Sequence, residues 1–181
     1  PLEPIIQTEK LSHVYSVGTP FEQGVQQGQE LSDAIRRNLA SVHRKLEQEK
    51  LTVININLTD SSNIYAPMQF STYVAAQQGD LFLISRDEML KITSDGAQES
   101  LVELTPYLES GAIDAEDIDL AKGTLDRGDG TTAVYAIPAD TLTGLNAYGN
   151  DPRDSLLCIP MYSKNADSAA ALIELMLEKL R

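Results

Sequence analysis

With 181 residues, 42% of them hydrophobic and 23% charged, the chain has the composition of a globular domain long enough to bury a real core. Its 14 Lys and Arg against 27 Asp and Glu leave a formal charge of −13, which repels phosphate backbones. No basic stripe is interleaved with aromatics, so nucleic acid is not an expected partner. A single cysteine, Cys158, excludes an internal disulfide, and no apolar run approaches the length of a membrane span.

Residues 1–11 are polar, carry Pro1 and Pro4 and show no periodicity, which reads as a linker or loose arm ahead of a single α/β lobe over 12–181. The chain starts at Pro1 rather than Met, and a signal or membrane anchor is expected ahead of it. His13 to Gly18 reads as a short strand ending at glycine. A helix start follows, with Thr19 as N-cap, Pro20 at the first helical position and Glu22 completing a capping box. Phe21, Leu31, Ile35, Leu39, Val42 and Leu46 recur at helical spacing and carry that helix to about Gln48. Gly24 and Gly28 on it read as a close packing contact against a sheet.

Leu51 to Leu58 is the next strand, β-branched near its start. A turn at 61–63 leads to a helix from about Pro67 to Gln78, which Gly79-Asp80 stops before a third strand, Leu81 to Ile84. Ser85-Arg-Asp-Glu88 is a second capping box, opening a short helix that ends near Gly96. Thr105 to Ser110 reads as one or two helical turns, and the acidic stretch 113–130 as surface loop with little regular structure. Thr132 to Pro138 and Ser155 to Pro160 are strands. Asn165 is expected to cap a terminal helix striped by Leu172, Ile173, Met176, Leu177 and Leu180. Alternating strands and helices at this spacing imply right-handed crossovers and a mainly parallel sheet with helices on both faces, a three-layer α/β/α sandwich.

Enzyme signatures are lacking. His13 and His43 are too few and too far apart for a metal cluster, and no His-Glu-x-x-His, paired-cysteine, nucleophile-elbow, P-loop or dinucleotide fingerprint is present. Asp126-Arg-Gly-Asp-Gly130 has the look of a Ca²⁺ loop or an adhesion tripeptide, but it lacks the ligand spacing and terminal Glu of an EF-hand. With Glu116, Asp117 and Asp119 it reads as a solvated acidic loop. No catalytic residue, metal ligand or cofactor site is assigned. In a parallel sheet, ligands gather outside the carboxyl ends of the strands. Those ends are Gly18-Thr19, Thr59-Asp60, Ser85-Arg86 and Asp140-Thr141, and Arg86 is the one cation there to pair with an acid. Thr19 and Ser85 are equally at home as caps, and Asp60 as a turn residue.

Four motifs in order carry a family resemblance. The first is Gly79-Asp-Leu-Phe-Leu-Ile-Ser-Arg-Asp-Glu-Met-Leu90, and the second is the segment Gly96–Leu108 with its Pro106-Tyr-Leu. The third is Tyr135-Ala-Ile-Pro-Ala-Asp140, and the fourth Ser163-Lys-Asn-Ala-Asp-Ser-Ala-Ala-Ala-Leu172. All four are similar to segments of the extracellular solute-binding proteins of ABC transporters. That family has the type II periplasmic-binding fold and includes maltodextrin-binding proteins. The resemblance covers about residues 13–181. It implies that the Tyr135–Pro138 strand runs against its neighbours and leads toward a second lobe. Between Leu145 and Ser155 the family inserts a domain of roughly a hundred residues or more; this chain has only a turn-forming linker.

The resemblance thus implies one lobe of a two-lobed clamp: a non-catalytic, extracytoplasmic binding or interaction module, tethered to a membrane through a segment preceding Pro1. A small solute or a protein partner is expected at the strand-end face, and a homodimer is one way to supply the missing wall. The other readings are a protein-interaction module on a membrane-anchored protein with no small-molecule ligand, and, less favoured, a small α/β enzyme.

Overall fold

A computed structural model describes residues 12–17, 51–56, 65–148 and 152–181. The linker expected over 1–11, the long helix expected over 19–48 and the turn at 61–63 lie outside those residues. Within them the fold mixes helices and strands in an α/β class. Strand β1 is Ser12–Val17 and β2 is Leu51–Ile56; helix α1 (Tyr65–Ala75), β3 (Leu81–Ser85) and helix α2 (Arg86–Ile92) follow. Two short helices come next, α3 (Ala97–Ser100) and α4 (Thr105–Glu109). A 3₁₀ turn at Leu120–Gly123 opens a hairpin of β4 (Thr124–Asp126) and β5 (Thr132–Val134). Then come β6 (Ile137–Pro138), a second 3₁₀ segment (Thr143–Tyr148), β7 (Ser155–Cys158) and the terminal helix α5 (Ala166–Leu180).

The main sheet has the order β2-β1-β3-β7-β6, and every pairing in it is antiparallel. The mainly parallel sheet expected from strand–helix alternation is therefore not what the described strands form. Alternation forces a crossover only if consecutive strands lie side by side and point the same way. Here Val17 pairs with Leu51, so the chain leaves β1 and enters β2 at the same end of the sheet. β2 and β3 do point the same way, but β1 lies between them. β6 runs against β7, its one neighbour in this sheet, in line with the direction implied for the Tyr135–Pro138 segment.

β3 explains why its sequence is an unbroken apolar run, as expected of a strand buried on both faces. Leu81 and Leu83 join Leu157, Ile159 and the α5 side chains Leu172, Ile173 and Met176 in one core cluster. Phe82 and Ile84 face the other way, into a second cluster with Leu156, Cys158, Phe70 of α1, Met89 of α2 and Ala97 of α3. Phe70 and Phe82 meet edge to face, with ring centroids 5.4 Å apart. α1 ends where Gln77 adopts φ 54° and Gly79 φ 96°, turning the chain down into β3. α2 opens on half of its capping box: the Glu88 N–H donates to Ser85 Oγ at 3.2 Å, while the Glu88 carboxylate accepts from Lys91 Nζ at 2.9 Å instead of reaching back.

Three local expectations change. The Asn165 side chain does not cap α5. It donates instead to Asp80 Oδ1 at 3.3 Å, beside the Ser163 hydroxyl, which donates to the same oxygen at 2.7 Å. Asp80 is buried, and satisfying its carboxylate outweighs a cap that water can supply. The acidic stretch 113–130 is also more ordered than a loop. Ile113 and Ala115 are buried, Asp119 Oδ1 accepts from the Ala121 N–H at 3.0 Å, and β4 pairs with β5. The segment 132–138 is correspondingly two strands, one in the hairpin and one in the main sheet. Its break lies at Tyr135 and Ala136, whose N–H groups both donate to the Gly123 carbonyl, at 2.8 and 3.3 Å.

On the α5 face, partial burial pushes the Glu174 carboxyl above the usual glutamate range; its bond from the Asp114 N–H (2.7 Å) opposes this, and the charges of Glu178 and Asp114 add to it. A carboxyl whose pKa is raised on folding holds its proton more tightly when folded, so stability is lost as pH rises through the raised value. Glu174→Gln, whose amide oxygen still accepts from Asp114, is expected to melt above the wild type at pH 7. The gap should close as the pH falls below about 4, where the wild-type carboxyl takes up its proton in both states. Melting temperature against pH checks this, and a gap independent of pH would refute it.

Candidate functional site

Of the eight residues expected at strand ends, Gly18, Thr19, Thr59 and Asp60 lie outside the described residues. Val17, the last residue of β1, sits at the end of the sheet opposite to Ser85, because β1 is antiparallel to β3. The other four, Ser85, Arg86, Asp140 and Thr141, come to one edge of the sheet. Ser85 pairs with Ser155 at the start of β7, and the Ala139 N–H, just past β6, donates to the Ser155 carbonyl at 2.8 Å. The carboxyl ends of β3 and β6 thus flank the amino end of β7.

Asp154, at the start of that edge, ties these pieces together. Its carbonyl accepts from the Arg86 N–H at 3.1 Å, and its own N–H donates to Asp140 Oδ1 at 3.0 Å. Its carboxylate accepts from Lys122 Nζ at 2.8 Å, and the same ammonium lies 3.6 Å from Asp140 Oδ1. The hydrogen bond it donates to Asp154 and the Asp140 charge hold the Lys122 pKa above its usual value. The backbone of Asp154 is left-handed, at φ 55°, the conformation that lets it make both backbone bonds. Ser85 is occupied by its cap. Arg86 and Thr141 are exposed, and the Arg86 guanidinium makes no ion pair among the described residues.

Sequence reasoning missed Lys122 and Asp154. A signal for Lys122 exists: it is the one cation between Ile113 and Asp126, a stretch crowded with carboxylates that need a partner. Nothing local marks Asp154, whose role follows from β7 pairing with two strands at once.

Chemically, the edge offers hydrogen-bonding groups and the exposed guanidiniums of Arg86 and Arg153, and no activated nucleophile among the described residues. The Ser85 hydroxyl accepts from its cap partner and meets no base among the described residues. Cys158 is fully buried, and burial pushes its thiol well above the usual range, away from thiolate chemistry. Tyr107 is pushed up to about 12 by burial and by its hydrogen bond to Asp167. The Asp126–Gly130 turn is closed on itself: Asp126 Oδ1 accepts from the Gly128 N–H and Asp129 Oδ1 from the Thr131 N–H. Its Arg127 bonds to Glu103. Among the described residues no group of three or more His, Cys, Asp or Glu side chains is placed to hold a metal ion, and no helix is long and apolar enough to cross a membrane.

Comparison with known proteins adds no relative: no family model, no curated protein and no solved structure matches the chain.

Proposed function

We propose that the chain is a non-catalytic binding or interaction module, built like one lobe of an extracytoplasmic solute-binding protein, which presents the Ser85-Arg86 and Asp140-Thr141 edge to its ligand or partner. The observation that carries this reading is the convergence of three strand ends on one edge, where the exposed Arg86 guanidinium makes no ion pair among the described residues. A free guanidinium beside satisfied carboxylates suits the carboxylate of a ligand or partner, which it can bind through two parallel hydrogen bonds. The module works outside the cytoplasm, tethered to the membrane; support for that location comes from the four motifs alone. With one lobe there is no hinge closure, so a small solute stays half exposed and binds weakly unless a second copy covers it.

The test is a thermal-shift screen of wild type and Arg86→Ala against sugars, amino acids, peptides and nucleotides. One class, carrying a carboxylate, is expected to raise the melting temperature of the wild type by a few degrees and to leave Arg86→Ala unmoved. The two proteins should melt alike without ligand, since Arg86 is exposed. A shift that survives in Arg86→Ala would move the site elsewhere.

A second reading, a module for a protein partner with no small-molecule ligand, is favoured by α1, where Tyr65 is 71% and Met68 65% exposed. A flat ligand screen, together with capture of a membrane partner by wild type but not by Met68→Asp, would select it.

A further inference from the structure

A second concavity lies away from that edge, at the end of the sheet where β3 begins and β7 leaves. It is a groove of about 390 Å³. Val74 and Ile92, near the ends of α1 and α2, form two of its walls, and Met161 and Tyr162 after β7 form another. Phe82, 1% exposed, also lines it and is braced edge to face by Phe70. The walls are fixed: the Tyr162 hydroxyl donates to the Gln78 carbonyl at 2.6 Å, and the Met161 N–H to the Ser100 carbonyl at 2.9 Å. Met161 is 47% exposed. The volume is at the low end for small-molecule sites, enough for one aromatic ring and a short tail.

Among the described residues one charged side chain lines the groove, Glu99, and it makes no ion pair with any of them. No described lysine or arginine lines it, and the chain as a whole carries −13. Those facts set a ranking of ligands. An anion is repelled by Glu99 and by the field of the whole chain. A neutral apolar molecule is drawn to the walls, but in covering Glu99 it strips water from a carboxylate and offers nothing in return. An apolar cation buries the same surface and pairs the carboxylate as it does so. We propose that this groove is a binding site for small aryl-alkyl amines in their ammonium form, with the ring between Val74, Ile92 and Met161 and the ammonium at Glu99. It is distinct from the Arg86 edge, whose charge selects the opposite kind of ligand.

The chain's four methionines make the test direct. With methionine methyls labelled with carbon-13, 2-phenylethylammonium is titrated into the full chain and compared with 2-phenylethanol and 3-phenylpropionate. The Met161 methyl signal is expected to move saturably with the amine, while those of the buried Met89 and Met176 and of the exposed Met68 stay still. The alcohol should bind about threefold or more weaker, and the carboxylate weaker still. In Glu99→Gln, an exposed and conservative change, amine and alcohol should bind equally. A still Met161 signal overturns the proposal. So does a Met68 signal that moves as far, an alcohol that binds as tightly as the amine, or a Glu99→Gln protein that keeps the amine preference. None of these outcomes bears on the Arg86 edge.

Discussion

Gly123→Ala is expected to lose its cooperative thermal transition, or to lower the melting temperature more than an alanine at any other described glycine. A Cβ at Gly123 would overlap the carbonyl oxygen of Ala136 and crowd that residue's carbonyl carbon at 2.7 Å. The obstacle is backbone, so no side chain can swing aside. The carbonyl group of Gly123 also accepts from Tyr135 and Ala136, and these bonds join the 3₁₀ turn before β4 to the link between β5 and β6. Relieving the clash means breaking them, and a cost of about 4 kcal/mol or more follows, a large share of a domain's stability. Gly111→Ala is the comparison. A Cβ there would meet nothing within 4 Å, but the φ of 79° is left-handed, so only the backbone cost of about 1 kcal/mol applies. Equal melting temperatures for the two variants would show that the Gly123–Ala136 approach is not structurally required.

Phe82→Ala is expected to destabilise by about 3–5 kcal/mol, which for a chain of this length lowers the melting temperature by roughly 10 °C. The side chain is 1% exposed, sits on the central strand and is in edge-to-face contact with Phe70. Removing the ring leaves a cavity that the surrounding strands and helices cannot close without moving. Because Phe82 also lines the apolar groove, the variant should lose the response of Met161 to 2-phenylethylammonium even at temperatures where it remains folded. Chemical denaturation gives the first effect and methyl spectra at low temperature the second. A fall of less than about 1 kcal/mol would mean that the Phe70–Phe82 cluster is not the packed unit described.

Much of the local structure was legible because it depends on neighbouring residues. Ser85 caps α2 through the Glu88 N–H, the Leu81–Ser85 strand is doubly buried as its apolar run requires, and the α5 stripe packs as its spacing indicates. What escaped was pairing at a distance. Strand direction is decided by which partners lie alongside, and β1 stands between β2 and β3, which no window of sequence records. The role of Asn165 was missed for the same reason: a buried carboxylate 85 residues earlier, Asp80, claims its amide. At the candidate site Ser85, Arg86, Asp140 and Thr141 were named because they end strands. The ammonium and carboxylate that knit that edge, Lys122 and Asp154, were not, since both owe their places to tertiary contacts.

The central position of β3 has a consequence for the chain before it is folded. Phe82 finds its β7 partner Cys158 76 residues later, so during synthesis an uncharged Leu-Phe-Leu-Ile segment waits for the strand that will cover its edge. Segments of that kind recruit copies of themselves into intermolecular sheets. Asp80 on one side and Arg86-Asp87-Glu88 on the other bracket it with charge, which frustrates such stacking. Neutralising the exposed Arg86 and Asp87 should therefore show first as lower soluble yield, in advance of any change in the melting temperature of the protein that does fold.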